Sequence, residues 1–468
     1  MTRAVVDERA VEQLRRDLHG PVLVPADRSY EQAREIFNVM VDKRPAVIAQ
    51  CADADDVTRA LAFARDGGLE VAVRGGGHSV AGSALSDGGL VIDLRLMNAV
   101  TVDPDARTAT VGGGATMSNL DRATQPFGLV TTGGRVSTTG VGGFTLGGGT
   151  GWLDRKLGFA CDRLTSVDLV RADGEHMRAN EDENPELFWA LHGGGGNFGV
   201  ATSMTFRLDP IPGVSVALLL WRAESGRQVL RRYRDLVEGS PDDVSGGALY
   251  LTGPPEEFVP TDLVGQLIFA VLVTYTGPLE EARPYIDPLL ALAPDGQLVL
   301  EMPYADLQCM LDDPPGNRNY WSAEHLSALP DEAVDVFSSR AFDMIIPSPT
   351  QHALFFQGGA PARDAHDWPT PFRTAPWVVH PFGVWSDPAD DARGRQWVRD
   401  VRSDVSPWAT GDVYLNFTGD EGEDRVRAGF GSQYQRLARV KAEYDPDNVF
   451  HVNHNIKPAP AIPHPRQT

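Results

Sequence analysis

Val71-Ala72-Val73-Arg74-Gly75-Gly76-Gly77-His78-Ser79-Val80-Ala81-Gly82 is the stretch around which the chain reads. A β-branched run leads into three glycines, then a histidine and a serine. Consecutive glycines let the backbone take φ > 0 and come close to a ligand. Successive free N–H groups in such a turn form an anion-binding nest. The stretch predicts a strand that ends in a phosphate cradle, with His78 at its lip.

Outward from that loop, Ala46 to Gln50 reads as a short buried strand. Asp53 caps a helix with Val57, Ala60, Leu61 and Ala64 on one face, stopped by Gly67-Gly68. Leu69 to Val73 and Leu90 to Leu94 are the next strands, giving an α+β unit with a loop at a strand's end, a usual place for a ligand. Thr108 to Val111 opens a second unit, with a helix over Met117 to Thr124. Thr131 to Gly149 then forms a second glycine belt, too glycine-rich for a stable helix and too apolar for a linker. A backbone threading past a flat ligand accounts for it. A strand at Ser166 to Arg171, a helix started by Pro185 and a strand at Val200 to Leu208 close this half. After Pro210-Ile211-Pro212 glycines thin out. Strand-like runs at Ala248 to Thr252, Leu267 to Thr276 and His352 to Gln357 predict a separate sheet-and-helix domain over about 212–400. Trp377, Phe382 and Trp385 line a cavity there or fill its core. A last helix carries Tyr434, Leu437, Val440 and Tyr444 and stops at Asp445-Pro446.

The totals narrow the options. A chain of 468 residues calls for two or three domains. Its formal charge of −22 repels phosphate backbones, so nucleic acid is not an expected partner. Cys51, Cys161 and Cys309 make no disulfide framework, and Met1 to Gly20 lacks the apolar core of a secretion signal, so a cytoplasmic home is expected. No run reaches the length of a membrane span.

Rival motifs fail on context. Gly194, Gly196 and Gly199 satisfy the G-x-G-x-x-G spacing, but a helix precedes and a strand follows, the reverse of a dinucleotide fold. His78-Ser79 stands where an ATPase loop needs Lys-Ser/Thr. Gly77-His78-Ser79 imitates a hydrolase elbow, yet Gly82 comes one residue late, and the oxyanion-like run at His192 follows instead of preceding. His451 and His454 have no third metal ligand nearby, and no metal is expected. What remains is a histidine beside a glycine cradle, a second glycine belt, and no other cofactor signature. An imidazole held beside a planar ring can attack an activated methyl group, which points to a covalent flavin.

Four segments now carry a resemblance: Arg74 to Ser79, Gly140 to Gly151, Phe188 to Val200, and Tyr444 to Ile456. Together they resemble the FAD-linked oxidases of the vanillyl-alcohol-oxidase (PCMH-type) superfamily, in particular its berberine-bridge-enzyme-like branch and bacterial relatives such as hydroxynicotine oxidases. The resemblance implies an α+β fold: a FAD domain over 1–211 (core about 40–211), a substrate domain over 212–400 whose helix-covered antiparallel sheet roofs the flavin, and a segment 401–468 returning to the FAD domain. It implies that His78 bonds the 8α-methyl of FAD, and that Arg74, Gly75, Gly76, Gly77, Ser79 and Gly82 form the pyrophosphate loop. Gly140, Gly143 and Val200 would contact the cofactor along its length, and Asn453 would meet the flavin ring.

Two departures matter. Val136 stands where many members carry a second, cysteinyl anchor, so attachment is expected through His78 alone. Phe417 replaces the last tyrosine of Tyr-x-Asn-Tyr, so the usual base is missing; Tyr414 is expected near the flavin, with Tyr320 or His380 as candidate bases. Thr139 falls where oxygen access is gated. The implied activity is oxidation of a small alcohol, amine or phenol, with dioxygen as acceptor, by a monomer or homodimer. The alternatives are an enzyme using a flavin–oxygen adduct and a catalytically idle flavin binder.

Overall fold

A computed structural model describes residues 6–312, 315–363 and 366–460. The chain folds as α+β around three main sheets. The first has four strands, ordered Val22–Leu23, Val47–Gln50, Leu90–Asp93, Val71–Arg74, with the last three parallel. The helix Ala54–Gly67 crosses over between two of them. Asp53 accepts the Asp56 N–H at 2.9 Å to cap it, and Gly68 ends it at φ 60°. Its buried Val57, Ala60, Leu61 and Ala64 are the apolar face read from the sequence.

The second sheet has five antiparallel strands, with Val200–Arg207 central between Thr108–Gly112 and Leu164–Val170. The third is antiparallel and eight-stranded. Its residues alternate between two cores, as the two-residue strand period requires. Ala217, Leu219, Trp221, Phe269, Val271, Trp377 and Val379 pack outward against the helices Gly226–Val237, Leu279–Leu290, Asp331–Arg340 and Asp391–Val405. Val216, Leu220, Leu249, Ala270, Leu272 and Phe355 face inward, against Val130, Trp152 and Leu153. The sheet therefore roofs the glycine-rich half. The helix Tyr434–Tyr444 returns to that half and packs Leu437, Val440 and Tyr444 beside Leu187 and Leu191.

Five strands of the third sheet, Val214–Arg222, Gly296–Met302, Arg318–Trp321, Glu324–Leu326 and Trp377–Trp385, are not among those expected from the sequence. The first follows a proline pair, and the last contains Pro381, which cannot donate to a ladder. The glycine belt also needs correction. Val141–Leu146 is a helix, although glycine lowers helix propensity. Val141, Phe144, Thr145 and Leu146 are buried, so tertiary packing pays the propensity cost. Among the described residues no helix is long and apolar enough to cross a membrane.

Burial holds six histidines below their ordinary range: His78 and His192 at about 4, His325 and His352 at about 3, His380 well below, and His454 lowered. Each stays neutral in the fold while its unfolded counterpart gains a proton below about pH 6.5. Their stabilising contribution is present above that pH and is lost as pH falls towards the folded values. Asp121 and Asp154, raised by burial to about 7 and about 6, act in the opposite sense but are fewer. Thermal stability is expected to fall as pH drops from 6.5 to 4.5. Calorimetry at matched ionic strength checks this; a Tm that stays level or rises would contradict it.

Candidate functional site

The strand Val71–Arg74 ends at a crevice of about 310 Å³ between the glycine-rich half and the third sheet. Its wall includes Gly75, Gly76, Gly77, His78 and Ser79 from the first loop, Arg135, Val136, Thr139, Gly140 and Gly143 from the second, and Gly193 to Asn197 from the third. Trp321, Phe382, Tyr414, Asn416, Phe417, Asn453 and His454 complete it.

Two walls touch through bare backbone. A Cβ on Gly76 would stand 2.4 Å from the Gly140 nitrogen, and one on Gly140 2.3 Å from the Gly76 nitrogen. Real Cβ atoms do not approach backbone so closely, so both positions require glycine. Gly143 differs. Its Cβ position meets nothing within 4 Å, which leaves open crevice beside its backbone.

His78 is held on two sides. Its Nε2 shares a 3.0 Å hydrogen bond with the Thr138 hydroxyl, and its ring stacks on Phe37 at 3.9 Å and 20°. Burial pushes its pKa down to about 4, so the imidazole is neutral and keeps a lone pair. Phe37 and Thr138 carry no sequence signal, because they sit in aperiodic loops.

Tyr414 is buried on the wall. Its hydroxyl oxygen accepts from the Asn416 side-chain amide at 3.0 Å and from the Thr150 N–H at 3.3 Å, while burial pushes its pKa up to about 12. It is a neutral phenol with its own proton free to donate. His380 lies on the same strand face as Phe382, two residues away, but behind the wall. Phe417 covers it, stacked at 3.9 Å. Its Nδ1 donates to the Ser322 carbonyl at 2.7 Å, which assigns the tautomer, and buried Nε2 has no hydrogen-bond partner among the described residues.

Besides His380, four expected positions lie off the wall. The Arg74 side chain turns away from the cradle and pairs with Asp93 at 2.6 Å, also donating to the Glu35 carbonyl at 3.2 Å. Gly82 at φ 74° shapes the loop behind Ser79, with Val41 where a Cβ would sit. Val200 is fully buried in the second sheet's central strand. Tyr320, one residue from Trp321, is carried by the strand alternation to the opposite face, where Arg395 and Arg399 flank its ring. That placement excludes Tyr320 as a base acting in this crevice.

Asn453 donates to the carbonyls of Gly196 and Phe450, both at 3.2 Å, and its Oδ1 is unpartnered. A glycine cradle, an orphan amide oxygen and a long aromatic-roofed slot fit a flat dinucleotide such as FAD.

Comparison with known proteins agrees. Residues 45–180 match a family model described as FAD binding domain, and residues 413–457 one described as berberine and berberine like. The chain is 30% identical to an uncharacterised FAD-linked oxidoreductase of Bacillus subtilis, over 94% of this chain and 97% of that one. The chain belongs to the FAD-linked oxidoreductases. This flavoprotein is also 30% identical to (R)-6-hydroxynicotine oxidase of Paenarthrobacter nicotinovorans, over 94% of this chain and 97% of that enzyme. A crystal structure of 6-hydroxy-D-nicotine oxidase from Arthrobacter nicotinovorans superposes with a TM-score of 0.83, at 28% identity, covering 94% and 98% of the two chains. A berberine bridge enzyme variant shares the fold at 22% identity and a TM-score of 0.84, over 96% of this chain and 99% of that one.

In this FAD-linked oxidoreductase the two kinds of glycine separate by mutation. Gly140→Ala forces the walls apart and is expected to cost about 1–3 kcal/mol of stability. Gly143→Ala, inside a helix and clear of neighbours, is expected to stabilise the polypeptide by about 0.4–1 kcal/mol while lowering flavin content. Denaturant melts and flavin-to-protein absorbance ratios check both; equal behaviour of the two variants would contradict the assignment.

Proposed function

We propose that the protein is a flavin oxidase in which His78 alone holds FAD covalently and a small organic alcohol, amine or phenol is oxidised beneath the third sheet. The carrying observation is a neutral His78, fixed by Phe37 and Thr138, at the end of a crevice walled by three glycine runs. Val136, on the wall where a second anchor would need a thiol, supports single attachment. FAD bound there would supply the hydride acceptor and pass the electrons on to dioxygen, giving peroxide. Gly75 to Gly77 and Ser79 would cradle its pyrophosphate, and Asn453 would face its ring system. Thr139, small and on the wall, leaves room for dioxygen.

The chain's own residues do the rest. Tyr414 orients the substrate by donating its hydroxyl proton. His380 takes the substrate proton on Nε2, since Nδ1 already donates to Ser322. Phe417, stacked on the His380 ring at 3.9 Å, would have to turn aside to admit that contact. Aromatic cover from Trp321 and Phe382 keeps bulk water from the reacting atoms.

Substrate added without air should bleach the flavin, and air should restore it with release of peroxide; reduced flavin that persists in air would overturn the oxidase reading. His380→Gln should retain flavin and lose about 10²–10⁴-fold in turnover. The pH profile distinguishes the base. A base at His380 stays unprotonated through pH 6–7, so kcat/KM should lose its acid limb there; activity that climbs towards the Tyr414 value of about 12 would transfer the role to Tyr414.

A further inference from the structure

The crevice wall carries one permanent charge. Among the described residues lining it, Arg135 is the only cationic side chain apart from histidines, and no aspartate or glutamate is present. This holds in a chain of net charge −22. The guanidinium lies on the roof side, away from the first glycine cradle. Its Cζ stands 4.1 Å from the centre of the Phe355 ring and 5.0 Å from that of Trp152, and both rings belong to the inward-facing core of the third sheet.

Its charge is only partly answered. Nη1 donates to the Thr150 carbonyl and hydroxyl at 3.4 and 3.3 Å, and Nη2 to the Gly151 carbonyl at 3.1 Å. Nε has no partner among the described residues. Asp154, a carboxylate within ion-pairing reach, stands off at 3.8 Å, beyond hydrogen-bond distance of the guanidinium. Burial pushes the Asp154 carboxyl up to about 6, so this counter-charge is itself held weakly. A buried cation whose counter-ion stands at 3.8 Å recovers only part of its desolvation cost. An arriving anion would recover it through charge-assisted hydrogen bonds, for which the planar guanidinium is well shaped. The rings of Trp321, Phe382 and Phe417, which do line the crevice, add a surface for a flat body.

We propose that Arg135 is the specificity-determining residue of this enzyme, and that it selects substrates carrying an anionic group, a carboxylate or phenolate, on a flat aromatic body. The proposal rests on the flavin-oxidase reading and adds the charge class of the substrate to it.

Flavin-loaded protein titrated with benzoate and with its neutral isostere benzamide tests this, using the visible flavin spectrum as readout. Benzoate should shift the spectrum saturably, and benzamide should bind about tenfold or more weakly, the scale of one charge-assisted hydrogen bond. Arg135→Met should abolish the benzoate response with flavin content unchanged, and Arg135→Lys should keep part of it. Equal binding of the two probes, binding of neither, or a benzoate response that survives in Arg135→Met overturns the proposal. Loss of flavin from both Arg135 variants also overturns it, because the guanidinium then serves the cofactor. A wild-type preparation without flavin is recognised before any titration, and it sinks the underlying flavin reading itself.

Discussion

The contact between Gly76 and Gly140 is the constraint on which the site depends. Two loops from different sheets meet there through backbone alone, and any side chain on either would overlap the other's main chain. Because they meet, His78 and Thr138, two residues along each loop, come within hydrogen-bond reach. The histidine is therefore placed by main-chain geometry, which is stiffer than a rotamer preference.

Buried ion pairs hold the loops that carry this contact. Arg74 reaches behind the first loop to Asp93 and to the carbonyl of Glu35, two residues before the Phe37 that stacks on His78. Lys441 plays the matching part on the other side. Its ammonium, fully buried, donates to Asn197, Phe450 and Asp445 at 2.6 to 2.9 Å, tying the third glycine run to the segment that carries Asn453. Removing one partner from such a pair leaves an uncompensated buried charge, which costs about 3–5 kcal/mol. These residues act on the crevice through what they hold, and neither lines it.

Much of the glycine-rich half was legible because its signals are local. Asp53 and Gly68 mark the ends of a helix, and the run before Gly75 has the β-branched texture of a buried strand. Crevice residues were legible where glycine is used for close approach. Other features depend on distant neighbours. The helix over Val141–Leu146 exists because packing buries its apolar face, against the propensity of its glycines. Arg74 falls in the loop that the resemblance assigns to the pyrophosphate, yet its pairing with Asp93 turns its side chain away. Tyr320 and Trp321 are neighbours in sequence on opposite faces of a sheet, a division that no motif reports. Arg135 and Phe37 owe their places to packing between elements far apart in the chain.

The central claim is that His78, fixed by Phe37 and Thr138, is joined to FAD. Intact-mass measurement of the freshly purified protein, followed by peptide mapping, tests it most directly. The account predicts one adduct of FAD mass, carried by the peptide containing His78 and absent from His78→Ala. Protein of unmodified mass that still binds flavin tightly, or an adduct on another residue, would contradict it.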